Sequence, residues 1–177
     1  MYDPTIFENI KVALENRVYD LDTLERKILI TNRTDQMDFA ILSRRFGIEF
    51  ILLDNVDLRA EIVLGTSLRD LAAEILEMKG EEPGCSLTLR FVSTVPSDVV
   101  PYREIGQVLH TIWEQEIDVT QTVSSVLGEE PAEFTYTIEA AFHTRINEEH
   151  MQEIGNFLVH VLRTMEALGR IIEAIQE

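Results

Sequence analysis

Histidine and carboxylate pairs are the side chains in this sequence that could perform acid–base chemistry. His110 and Glu114 stand four residues apart beside Trp113, so a helix would place the imidazole and the carboxylate on one face. Such a pair could line a pocket, although an isolated pair more often marks the edge of a core. We group His110 and Trp113 with Tyr136 and His143, from a later segment, as a candidate pocket between sheet and helices.

A second histidine and carboxylate group lies at Glu149, His150 and Glu153. Ferritin-like metal sites repeat a Glu-x-x-His motif on two helices, whereas here the group occurs once and in reverse order. Cys85 is the sole cysteine, which excludes an internal disulfide and a cysteine zinc site, and the eight scattered glycines form no phosphate loop. We therefore predict no catalytic residue, no metal and no cofactor, which favours a protein that is not an enzyme.

The charge of the chain is strongly acidic and unevenly distributed. Fifteen basic and 32 acidic residues give a net charge of −17, which argues against binding nucleic acid through its phosphates. Residues 26–103 hold 10 basic and 12 acidic residues, a net charge of −2, while the rest holds 5 and 20, a net charge of −15. Residues 104–144 include no Lys or Arg. A solvated acidic surface is the ordinary explanation, and a surface that receives a basic protein or peptide is the sharper alternative.

Composition and length place the chain among globular proteins. It has 177 residues, of which 45% are hydrophobic and 27% charged, enough for a substantial core and typical of one domain, which we assign to residues 1–177. The first residues do not resemble a targeting signal, and no stretch approaches 18 continuous apolar residues. We therefore expect a cytoplasmic protein with no membrane partner.

The first third of the sequence predicts one helix followed by short strands. Asp3 as N-cap and Pro4 at the first helical position predict a helix that fades near residues 17–21. Four strands are then expected, at 27–31, about 37–45, 48–54 and 58–64, separated by turns at 31–35, at Gly47 and at 54–57. Residues 36–46 are almost as compatible with a helix as with a strand, because Met37, Ala40 and Ile41 share a helical face.

The rest of the sequence alternates helices and strands. Ser67 and Asp70 resemble a capping box that opens a helix ending at Gly80, and its apolar stripe is expected to face inward: Leu68, Leu71, Ala72, Ile75 and Leu76. A strand at 85–92, a helix at about 102–116 and a hairpin turning at 127–133 follow. Residues 133–143 alternate between apolar and polar, as in an antiparallel sheet with one face in water. The order predicts an α+β fold with a mostly antiparallel sheet of about six to seven strands, three shorter helices and one long C-terminal helix.

The long helix, expected at about 147–176 behind the cap Asn147, carries an apolar seam. A helix of about 30 residues would be about 45 Å long, whereas a strand of usual length spans about 17–20 Å. We therefore expect the excess to meet the same helix of a second copy in a homodimer. The predicted interface consists of Leu158, Val161, Met165, Leu168, Ile172 and Ile175.

Two functions are compatible with these features. The first is a non-catalytic, acidic, dimeric scaffold that binds a protein or peptide partner, for instance by adding a strand to the open edge of its sheet. In size, charge and order of elements the chain is similar to small acidic secretion chaperones, and the similarity rests on these properties alone. The alternative is a small-molecule-binding sensor or enzyme whose pocket lies near Trp113, Tyr136 and His143.

Overall fold

A computed structural model describes residues 5–177 as a six-stranded sheet with four α-helices. The elements are α1 (Ile6–Thr23), β1 (Ile28–Asp38), β2 (Ser43–Leu52), β3 (Asn55–Thr66), α2 (Leu68–Ile75), β4 (Ser86–Val95), α3 (Tyr102–Trp113), β5 (Ile117–Ser125), β6 (Phe134–Phe142) and α4 (Ile154–Gln176), with a 3-10 helix (Glu148–Glu153) before α4. All neighbouring strands are antiparallel, in the order β1-β2-β3-β4-β6-β5. The predicted α+β class is confirmed.

The sheet buries one face and leaves the other wet, as the alternation in β6 predicts. Ile138 and Ala140 are buried in the core, while Glu139 between them is exposed on the other face. On the outer face Arg90 lies 3.4 Å from the carboxylate of Glu139 and 3.8 Å from that of Glu61 on the other side. Helices α1, α3 and α4 cover the inner face.

The first part of the sheet consists of three long strands, whereas four shorter strands were predicted there. Residues 31–35, expected as a turn, lie inside β1, where the pairing register shifts between Ile30 and Asn32. Gly47, expected as a break, lies inside β2. The real turn is at 39–42, so residues 36–46 are neither one strand nor a helix. The polar residues that suggest a turn are tolerated because β1 is an edge strand with one side free.

The ends of the helices show which local signals were sufficient. The Ser67 and Asp70 capping box is confirmed, with both reciprocal hydrogen bonds formed. Asp3 and Pro4 lie outside the described residues, and within them the N-cap of α1 is Thr5, whose hydroxyl accepts the Glu8 N–H at 3.2 Å. Asn147 caps the 3-10 helix instead of α4 itself. Helix α3 ends at Trp113, earlier than predicted, because the next residue turns to a φ of 56°.

The seam of α4 is buried in the chain's own core, so the predicted dimer interface needs correction. Leu168 and Ile172 are 0% and 2% exposed, and three more seam residues are equally buried: Leu158, Val161 and Met165. Ile175, near the end of the helix, is partly exposed. Helix α4 packs on α1, α3, β3 and β4. These buried side chains cannot meet a second copy.

The reason lies in the lengths of the elements. The 3-10 helix takes over the first residues of the predicted long helix, and the 23 residues of α4 span about 35 Å. Strand β3 has 12 residues and spans about 40 Å. The sheet is therefore long enough to cover the whole helix, and no excess remains to pair with a twin.

Candidate functional site

The edge of the sheet at β5 is the first candidate binding surface. β5 pairs with β6 alone, so every second backbone amide and carbonyl along its other side faces away from the sheet. The strand has nine residues, IDVTQTVSS, with neither proline nor a basic residue. Asp118, Thr120, Thr122 and Ser124 are exposed along its outer face. A long edge strand without such protection is a template for pairing with another chain.

The opposite edge, β1, is protected. Its ladder is interrupted after Ile30, whose N–H donates to the carboxylate of Asp22 on α1 at 3.0 Å. Beyond the interruption the inward positions carry charges, and Arg33 forms an ion pair with Glu15 of α1. Bulges and inward charges are devices that discourage edge pairing. Of the two edges, only β5 is suited to accept a further strand.

A cluster of four charges anchors α1 to β1 and β2. The Lys11 ammonium lies 2.9 Å from carboxylate oxygens of both Glu8 and Asp35, and Arg44 lies 2.7 Å from Glu8 and 3.1 Å from Asp35. Burial alone would raise the pKa of Asp35, but hydrogen bonds from Lys11 and Arg44 outweigh it and lower that pKa. Because each charge has two opposite partners, the cluster is suited to holding the fold rather than binding a ligand.

The predicted pocket of His110, Trp113, Tyr136 and His143 is not formed, because its members lie apart. Tyr136 and His143 are seven positions apart along and beyond β6, about 23 Å. Trp113 is buried, and its indole N–H donates to the hydroxyl of Thr164 on α4 at 3.0 Å. Tyr136 is buried beside Gln121, its hydrogen-bond acceptor, and burial raises the pKa of Tyr136 to about 12.

The two histidines of that group lie on the surface. The ring of His110 is 3.2 Å from the backbone carbonyl of Glu114, not from its carboxylate as the spacing suggested. His143 lies 2.9 Å from Asp118, and this hydrogen bond raises the pKa of its ring. Each histidine therefore has a local structural partner and faces solvent.

A cavity of about 320 Å³ does lie between sheet and helices, but at different residues. It is bounded by the inner face of the sheet, α1 and the start of α4. Its floor and walls are apolar: Ile10, Leu14, Leu64, Leu87, Phe142, Ile146, Ile154 and Phe157. Its polar lining consists of Glu116, Thr144, His150 and Glu153. The sequence placed His150 and Glu153 on one helical face but gave no sign that Glu116 would join them.

The polar lining of this cavity is acidic. The Asn147 N–H donates to Nδ1 of His150 at 3.0 Å, so this ring nitrogen is occupied by the backbone. The Thr144 hydroxyl donates to Glu116 over 3.4 Å. Within residues 5–177, Glu116 and Glu153 form no ion pair, and no Lys or Arg lines the cavity.

Helix α2 and the residue after it expose three of the five residues in the apolar stripe that the sequence was expected to bury, while Leu71 and Ala72 are half-buried. Ile75 and Leu76 are 66% and 69% exposed, Leu68 is also exposed, and Ala73 is the residue of α2 that is buried. The turn between β1 and β2 lies at the same end of the sheet, because β2 begins opposite the end of β3, and Phe39 in that turn is 80% exposed. Apolar surface of this kind usually marks an interaction site.

Comparison with known proteins adds no assignment. No known protein family matches this sequence, and no curated protein is significantly similar to it. Within residues 5–177, no helix combines the length and apolar character needed to cross a membrane. The function must therefore be argued from the surfaces and the cavity described above.

Proposed function

We propose that the protein is a non-catalytic binding protein that holds an extended, basic segment of another protein against the edge of β5. The observation that carries this proposal is the unprotected edge strand within residues 104–144, a segment without Lys or Arg. An added strand would take main-chain hydrogen bonds from β5, and its side chains would meet an acidic surface. Carboxylates at both ends of the strand, Glu116 and Asp118 at one and Glu129 and Glu130 past the other, favour basic side chains.

Charge also argues that the partner at the edge of β5 is not a second copy of the protein. A two-fold pairing of β5 with β5 of a twin would be antiparallel, so Asp118 of each chain would approach the end of the other strand that leads to Glu129 and Glu130, and each chain already has a net charge of −17. Like charges across an interface are costly, whereas a basic segment is attracted. The partner at this edge is therefore a different chain.

Binding of a defined peptide tests the proposal. The probe is a labelled nine-residue peptide of alternating Lys and Val, matched to the length of β5, and the measurement is fluorescence anisotropy. We expect saturable binding that weakens as salt increases, since exposed charges are screened. A peptide with Glu in place of Lys, and one with a central Pro, should not bind. Equal binding of the acidic peptide would contradict the proposal.

Matched variants of the two edges locate the site. Thr120→Lys with Ser124→Lys adds two positive charges to β5, and we expect the affinity for the Lys-Val peptide to fall at least about tenfold, the equivalent of about 1.4 kcal/mol. Asn32→Lys with Gln36→Lys adds the same charge to exposed outward positions of β1 at the same spacing. This control should change the affinity less than about twofold. An equal loss in both variants would show that net charge alone governs binding.

We also propose that the protein is a homodimer, paired through α2 and the β1–β2 turn. The support is the exposed apolar stripe of Leu68, Ile75 and Leu76, together with its place in residues 26–103, where the net charge is only −2. The remainder of the chain has a net charge of −15 and would repel its twin. This neutral, apolar end is therefore the surface on which two copies can meet at least electrostatic cost, and two-fold dimers are the commonest assembly.

Light scattering on the purified protein tests the pairing. One chain has a mass of 20.3 kDa, and we expect twice that value for the native protein. Ile75→Asp with Leu76→Asp should give the mass of one chain without loss of fold, since both side chains are exposed. Val126→Asp with Leu127→Asp changes another exposed adjacent pair and should remain a dimer. A native protein of one-chain mass would overturn the dimer but leave the peptide proposal standing.

A further inference from the structure

We infer that the cavity between the sheet, α1 and α4 binds a small apolar molecule that carries one cationic amine. The cavity is lined from the inner face of the sheet, whereas the proposed peptide would pair along the free edge of β5; the two share Glu116, just before β5. Different ligands test the two sites, so either proposal can fail while the other stands.

The shape of the cavity sets the size and apolar character of the ligand. Its volume of about 320 Å³ falls at the lower end of the range for ligand pockets and would hold roughly ten non-hydrogen atoms, at about 30 Å³ for each water-sized group. The deepest residues, Ile10, Leu14 and Leu64, are at most 2% exposed and offer no hydrogen-bonding group. A polar tail would lose its hydrogen bonds to water there, so the part of the ligand that enters must be hydrocarbon.

The charges lining the cavity set the sign of the head group. Glu116 and Glu153 supply two carboxylates, and neither has an ion-pair partner within residues 5–177. His150 lines the same cavity, and its Nδ1 accepts the Asn147 N–H. An ammonium group would gain charge-assisted hydrogen bonds from these carboxylates, whereas the carboxylate of a fatty acid would be repelled.

The aromatic side of the cavity gives a further reason to treat it as a site. The cavity is open to solvent on the side where Glu116, Thr144 and Glu153 are exposed, and it is closed by apolar side chains elsewhere. Aromatic side chains of Phe142 and Phe157, 5.9 Å apart between ring centroids, stand on one side and pack against Trp113. An apolar space with a rigid aromatic wall and a few convergent polar groups matches the usual anatomy of a small-molecule site.

Calorimetric titration with three ligands of equal tail length tests the inference. The ligands are n-octylamine, which is cationic at neutral pH, n-octanol and octanoate. We expect one-to-one binding of n-octylamine that is at least about tenfold tighter than that of n-octanol, because its ammonium group has the opposite charge to the carboxylates that line the cavity. Octanoate should bind most weakly. Absence of saturable n-octylamine binding, or equal binding of octanoate, would overturn the inference.

Variants with a matched control separate the site from the general acidity of the protein. Glu116→Gln with Glu153→Gln should bring the affinity for n-octylamine down to that for n-octanol and leave n-octanol binding unchanged. Glu114→Gln with Glu149→Gln removes the same charge from neighbouring exposed residues that do not line the cavity, and should preserve the tenfold preference. An equal loss in the control pair would mean that long-range attraction, not the cavity, selects the amine.

A blocking variant tests the cavity itself. Thr144 is exposed and lines the cavity, so Thr144→Trp should obstruct it and abolish binding of all three ligands without reducing thermal stability. Retained binding in a folded Thr144→Trp protein would overturn the assignment of the site. If this variant does not fold, the two Gln pairs still decide the outcome.

Discussion

Helices α4 and α2 carry apolar stripes of the same kind, yet the fold covers the first and exposes the second. Leu168 and Ile172 of α4 are fully buried because the helix crosses the middle of the sheet and packs on β3, β4, α1 and α3. Ile75 and Leu76 of α2 are exposed because this helix lies in the connection between β3 and β4, at the end of the sheet. Apolar spacing therefore identifies a helix face that is suited to burial. The length and position of the strands determine whether the chain's own sheet buries it.

The largest difference between the two helices should appear when a charge is placed on each stripe. Leu168→Asp puts a carboxylate at a fully buried position beside apolar side chains, and we expect a loss of about 4 kcal/mol or more in the free energy of unfolding. Ile75→Asp should change that free energy by about 0.5 kcal/mol or less. The measurement is urea unfolding at protein concentrations low enough for the proposed dimer to dissociate. A Leu168→Asp protein that stays folded as a monomer would instead support pairing through α4.

Removal of the buried Thr164 hydroxyl on α4 should cause an intermediate loss in the free energy of unfolding. Thr164 is completely buried, and its hydroxyl donates to the His160 carbonyl and accepts the indole N–H of Trp113. Thr164→Val keeps the shape but leaves the indole N–H unpaired, so we expect a loss of about 1–3 kcal/mol in urea unfolding. This contact joins α3 to α4 through two buried side chains. Helix α2 is instead held by more exposed contacts, the ion pair of Asp70 with Arg145 at 2.6 Å and the Ile6 N–H that donates to Glu74 at 2.8 Å.

Thr111→Val is the matched control for this hydroxyl. Thr111 also donates to the carbonyl four residues earlier, that of Gln107, at 2.8 Å, compared with 2.7 Å for Thr164, but it is exposed and accepts no indole. We expect its replacement to cost about 0.5 kcal/mol or less. Equal losses in both variants would show that the backbone contact, not the link to Trp113, is the stabilising one.

The sequence predicted elements of the fold correctly where local residue pattern determines them. The alternation of residues 134–142 gave both the strand β6 and its buried face, and Ser67 with Asp70 gave the start of α2. Residues 31–35 misled because Asn and Asp favour turns in general, while an edge strand with a register shift tolerates them. The difference is decided by the neighbouring strands, which local patterns do not describe.

The cavity and the exposed stripe could not be predicted for a related reason. Glu116 and His150 are distant in the sequence and line the same cavity because β6 returns the chain beside the start of β5 and leads towards the 3-10 helix. His110 and Glu114 were predicted to share a helical face, but α3 ends at Trp113 and both residues are exposed, since the buried side of α3 is defined by Ile105, Leu109 and Trp113. Side-chain type and spacing supplied candidates, and tertiary packing selected among them.

The smallest expected effect is a loss of local stability in α2 that leaves the stability of the whole protein, including α4, almost unchanged. Ser67→Ala removes one half of the capping box, a change that usually costs a helix about 1 kcal/mol. Since Ala73 is the buried residue of α2, the helix should open without unfolding the sheet, so amide exchange in α2 should quicken while the thermal midpoint of the whole protein hardly moves. A fall in the thermal midpoint as large as that of Thr164→Val would mean that α2 unfolds together with the core, and its exposed stripe would then be a part of the cooperative fold rather than a surface free to pair.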